Sequence, residues 1–82
     1  MPTIHKEAGL KFRVFNNDHE PPHVHVVKQD KAVLIELGDQ NTRPTIKCNY
    51  GMKLVDVKNA LRIVAEQQEV FLEHWRKYHG KK

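Results

Sequence analysis

Nine consecutive residues, Asp18-His19-Glu20-Pro21-Pro22-His23-Val24-His25-Val26, hold three of the chain's six histidines together with two carboxylates. Imidazole titrates near neutral pH, so it can move protons or ligate metals, and a neighbouring carboxylate can orient it. The alternation from His23 to Val26 sets both imidazoles on one face of a strand and both valines on the other. Pro21 and Pro22 favour extended backbone and limit the freedom of the acidic turn before them. If the chain has a chemical site, this run is the place to look.

Two chemistries fit these residue types. As a metal site, His23 and His25 would supply two nitrogens, with His19 or Asp18 closing the set across the proline corner. The spacing matches no standard zinc module and Cys48 is the one cysteine, so no metal and no other cofactor is expected. As an acid–base site, His19, His23 and His25 would act on an RNA or nucleotide phosphate, with Glu36 beside His23 and Arg13 holding the anion. The run from Pro22 to Val27 is similar to the alternating histidines of the histidine-triad nucleotide hydrolases. Val27 stands in the third place, however, and the rest of that fold does not fit in 82 residues. The plain alternative is that His23 and His25 face solvent or make hydrogen bonds at an interface.

The elements that must position these side chains read as three or four strands followed by one helix. Residues 10–15 alternate Leu10, Phe12 and Val14 with Lys11, Arg13 and Phe15, as a half-buried first strand does. Residues 16–22 form a polar loop, 23–28 a second strand and 31–37 a third, with Gln29-Asp30 as the turn between the last two. That turn pairs Lys28 with Lys31, Val26 with Val33, His25 with Leu34, Val24 with Ile35 and His23 with Glu36. A slip of one residue would set valines against Glu36, so the register is well specified. Both histidines are then expected on the sheet face away from the helix. Residues 43–48 form a short further strand whose Pro44 suits an edge.

Steps of three and four link Leu54, Val57, Leu61, Val64, Gln68, Phe71, Trp75 and Tyr78, which predicts one helix over residues 52–78. At ~1.5 Å per residue such a helix runs to about 40 Å, twice the span of a six-residue strand. Trp75 and Tyr78 are therefore expected to overhang the sheet and to serve as binding anchors. A flanking stripe of Ile63, Gln67, Val70 and His74 offers a second seam.

Composition bounds the function. The chain is short enough for a single domain, residues 1–82, with a modest core for which a partner is a common support. No apolar run reaches the ~20 residues of a membrane span, and no apolar stretch follows the first residues as a signal peptide requires. A cytoplasmic setting is expected. The net charge of +4 is uneven. Residues 1–41 carry five Lys and Arg against six Asp and Glu, whereas residues 42–82 carry nine against four. A basic second half suits phosphates or an acidic partner. Few aromatics and no glycine-rich phosphate loop leave a nucleic-acid-binding module without support.

Met1-Pro2-Thr3-Ile4, then Gly9, Phe12 and Phe15, then the run from Asn17 to Val26, and finally Trp75, resemble one bacterial family. It is numbered four-one-six-zero among the domains of unknown function. Asn16 stands where a serine is commoner in that family, a departure that touches a loop contact. The resemblance implies a gene encoded beside a second small domain of unknown function, in a pair like a toxin–antitoxin module. It implies a protein partner and supplies no activity.

The reading is an α+β domain: a three- or four-stranded antiparallel sheet with one long C-terminal helix on one face. Its expected function is that of a toxin–antitoxin-like component acting through protein contact, as a homodimer or with the product of the neighbouring gene. The alternative is a small ribonuclease or phosphoesterase using His19, His23, His25 and Glu36. Asp18, Arg13, Trp75 and Tyr78 are the candidate binding residues.

Overall fold

In the computed structural model the described residues are 3–14, 21–38 and 41–79, without the side chains of 78 and 79. The chain is an α+β unit: five antiparallel strands in sequential order, then two helices. The strands are β1 (Thr3–Glu7), β2 (Leu10–Arg13), β3 (His23–Lys28), β4 (Lys31–Glu36) and β5 (Thr45–Tyr50). The helices are α1 (Leu54–Glu66) and α2 (Gln68–His79). Every sheet neighbour is also a sequence neighbour, so each pairing closes over a short connection.

The β3–β4 hairpin has the predicted register. His23 pairs with Glu36, Val24 with Ile35, His25 with Leu34, Val26 with Val33 and Lys28 with Lys31. The apolar pairs are fully buried, and Gln29 supplies the turn with φ 58°. Val24, Val26, Val33 and Ile35 join Leu10, Phe12, Val14 and Leu37 to form the sheet side of the core. Val57, Ala60, Ile63, Val64, Phe71, Leu72 and Trp75 form its helical side.

Three sequence expectations are corrected. First, the sheet has five strands rather than three or four, because β1 precedes the strand expected to be first. Thr3-Ile4-His5-Lys6-Glu7 has a single aliphatic residue, so no apolar alternation marks it. The tight turn at Ala8 and Gly9, with φ 56° and 77°, fits the type of two-residue hairpin that needs left-handed backbone at both positions. His5 then lodges between Phe12 and Phe71, with ring centroids 5.5 and 5.6 Å away, and ties this edge strand to α2.

Second, the long helix is two helices, divided at Gln67. The Gln67 N–H still donates to Ile63 O and the Phe71 N–H to Gln67 O, both at 2.9 Å, so helical hydrogen bonding carries across the break, where Gln67 has φ −107° and ψ 19°. No proline or glycine stands at the break. The Gln68 side chain ties the start of α2 down, donating from Nε2 to Leu37 O at 2.8 Å and to Thr42 O at 3.0 Å. Gly38, in the same connection, has φ 70° and packs so closely on the Thr42 backbone that a Cβ would collide with it.

Third, α2 packs on the sheet, with Phe71 against His5 and Trp75 against His23, and Trp75 does not overhang. It is 3% exposed. The flanking stripe divides likewise: Ile63 is fully buried while Val70 is exposed. In the main stripe Leu54 is 69% exposed instead of facing the sheet.

The start of α1 is set by Asn49 rather than by a capping side chain on Lys53. Asn49 Oδ1 accepts from the Met52 N–H at 2.8 Å and Nδ2 donates to Met52 O at 3.0 Å, closing the turn between β5 and α1. Asp56, in the first turn, suits the positive end of the helix dipole and takes Lys28 Nζ at 3.2 Å on both oxygens. That ion pair clamps the end of β3 to α1. No helix among the described residues is long and apolar enough to cross a membrane.

Candidate functional site

The proline corner is tied down at two carbonyls. Pro22 O accepts the Leu37 N–H at 2.9 Å, which carries the β3–β4 pairing one step past Glu36. Pro21 O lies 2.9 Å from His23 Nδ1, and since a carbonyl only accepts, Nδ1 must carry the proton. In the neutral ring Nε2 is then the basic nitrogen. The chain bends at Pro21 just before β3, which presents the Pro21 carbonyl to the side chain two residues on.

His23 departs from its expected place. It does not lie clear of the helices: its residue is 8% exposed, and its ring centroid stands 5.2 Å from that of Trp75. Trp75 of α2 thus sits at the end of the sheet where β3 begins. His25, half-buried, meets His23 edge-on at 5.3 Å. Across the sheet His25 stands between Arg13 and Leu34. Arg13 Nε is buried without a hydrogen-bond partner. Glu36 faces His23 in register, and Lys47 Nζ lies 3.7 Å from its carboxylate.

Of the eight candidate residues, then, the structure brings His23, His25 and Trp75 into ring contact, with Arg13 and Glu36 at adjoining register positions. Asp18 and His19 lie outside the described residues. Tyr78 is on α2, with its side chain outside them as well. Among the described residues no three His, Cys, Asp or Glu side chains gather as a metal site would require.

A second region was not singled out by sequence. Every residue of β5 is exposed, including Ile46 at 44% and Tyr50 at 61%. The adjoining start of α1 exposes Leu54 and Val55. Lys47 is the extra residue of an irregularity that shifts the β4–β5 register, a device that guards edge strands against indiscriminate pairing. The Tyr50 hydroxyl titrates above its ordinary range because it shares a hydrogen bond with Cys48, whose thiolate would further oppose its ionisation.

Beside this edge a cleft of about 640 Å³ opens between the segment leading into β5 and the outer side of α1. Arg43, Lys58 and Arg62 line it, over a floor that includes Pro44, Leu61 and Ala65. It shares no residue with the histidine motif. The available signal was the Lys58–Arg62 spacing, which places two cations on one helical face beside Leu61 and Ala65.

The model of one family, a domain of unknown function (DUF4160), matches residues 9–76. No curated protein and no solved structure matches the chain. The chain belongs to the DUF4160 family.

Proposed function

We propose that this DUF4160 chain works by binding a protein partner, as one component of a bacterial toxin–antitoxin-like pair in the cytoplasm. The observation that carries this reading is the exposure of four apolar side chains, Ile46, Tyr50, Leu54 and Val55, on an edge strand and the helix after it. Single exposed apolar residues are ordinary, but four on consecutive elements are surface that a partner can cover. An edge strand also offers backbone groups to an added strand. The partner is the product of the neighbouring gene or a second copy of the chain. Trp75, buried here, supports the fold rather than the contact.

The competing reading is a His-dependent ribonuclease or phosphoesterase. It draws on the His23–His25 ring contact and on Arg13, whose buried Nε would suit a phosphate oxygen. One experiment separates the two. The chain is expressed alone and together with the adjacent gene's product, as wild type and as His25→Ala. Stable co-purification of both forms, with growth unaffected by His25→Ala, supports the binding reading. RNA cleavage or growth arrest that His25→Ala abolishes supports the hydrolase.

A further inference from the structure

We infer that the cleft between residues 41–44 and α1 receives an acidic, partly apolar segment of a protein partner; the inference rests on the partner-binding reading and names the chemistry of the partner's contact. The cleft is lined by three cations, and among the described residues no carboxylate lines it. Arg43 and Lys58 have no ion-pair partner among the described residues. Arg62 is paired with Glu66 of the next turn at 3.3 Å to both oxygens, an exposed pair that an incoming carboxylate can compete with at little cost. The three converge from different elements, the loop before β5 and the outer face of α1. A ligand between them is gripped from two sides.

The floor decides the class of anion. Pro44, Leu61 and Ala65 offer aliphatic surface, and among the described residues no aromatic ring lines the cleft to stack a nucleobase. Aliphatic floor with cationic rim matches a peptide that alternates carboxylates with aliphatic side chains. Exposed Leu54 lies one turn before Lys58 on α1. A segment seated on the cations that follows α1 toward its start would meet it. Charge complementarity of this kind raises association rate and selects partners, and it is weakened by salt.

The test uses the full chain labelled with nitrogen-15 and a synthetic peptide of alternating Glu and Leu, followed by amide chemical shifts. Adenosine monophosphate and inorganic phosphate are titrated separately. The expected result is movement of the Thr42, Arg43, Lys58 and Arg62 amides with the peptide. The double variant Lys58→Glu/Arg62→Glu should weaken binding by about tenfold or more, and Lys6→Glu/Lys11→Glu, with the same change in net charge, should not. Lys58→Gln/Arg62→Gln should fall between, which guards against misfolding of the reversed form. Equal loss in both charge-reversed variants would mean attraction by net charge alone and would overturn the inference. So would binding of either phosphate at the same amides with displacement of the peptide, or no shifts at all. If the adjacent gene's product binds Lys58→Glu/Arg62→Glu as tightly as wild type, the inference fails while the partner reading stands. If that product does not bind wild type at all, the partner reading fails on its own.

Discussion

Strand β3 and strand β5 have the same length and opposite fates. β3 carries the residues richest in chemical potential, and the fold encloses them: Val24 and Val26 are fully buried, and His23 is held between a carbonyl, a second imidazole and an indole. β5 carries ordinary residues, and all six are exposed. The difference follows from position. β3 is the central strand of five, with a neighbour on each side and α2 at its start, whereas β5 has one neighbour and a helix that leaves its outer side open. A reactive residue type in the middle of a sheet is readily recruited for packing, and a bland one at an edge is left for a partner.

That contrast can be broken from the β3 side first. Trp75→Ala should lower folding stability by about 4 kcal/mol, since it empties a buried aromatic site and unseats His23. Urea unfolding measures it, and a near-wild-type midpoint with weakened partner binding would restore Trp75 as an interface anchor. Gly38→Ala should cost about 2 kcal/mol, because left-handed backbone and contact with Thr42 both disfavour a Cβ there. The same unfolding curve reads this loss, and a neutral outcome would mean that the Gln68 anchor does not depend on that connection.

His23→Ala should be milder, about 1.5 kcal/mol, for the lost bond to Pro21 O and the lost ring contact with Trp75. A thermal melt that does not move would free His23 from the structural role given to it. On the β5 side, Leu54→Asp should change stability by no more than about 0.5 kcal/mol, as expected of an exposed position. A large loss would place Leu54 in the core after all.

The smallest effect is one of pH. The folded Tyr50 phenol ionises above its unfolded value, so its contribution to stability is present below that value and is lost as pH rises through the folded one. Cys48→Ala should move the phenol back toward about 10, the ordinary value, in an ultraviolet absorbance titration. An unchanged titration would remove Cys48 as the cause.

How much of this was legible from sequence depends on which force set each feature. The β3–β4 register was readable because a slip would misplace a whole apolar face, and that penalty is written in the residues themselves. β1 was not, since its stability comes from a turn and from the packing of His5 between Phe12 and Phe71, residues far apart in the chain. The break at Gln67 was hidden for a similar reason: Gln68 reads as one more step of a helical stripe until its partners, Leu37 O and Thr42 O, are in view. The alternation marks His23 and His25 as a pair on one face, but the contact of His23 with Trp75 joins residues far apart in the chain, which no local pattern records. The cleft escaped notice because its cations come from two elements, and only half of that arrangement is a sequence spacing.

We propose that the chain works through contact at β5 and α1 rather than through histidine chemistry. The most direct measurement is the calorimetric affinity of the adjacent gene's product for wild type, for Ile46→Asp/Leu54→Asp and for His25→Ala. The account expects the first variant to lose about 2 kcal/mol or more of binding, as the loss of central interface anchors does, while His25→Ala binds as wild type. Full affinity in Ile46→Asp/Leu54→Asp with binding lost in His25→Ala would contradict it.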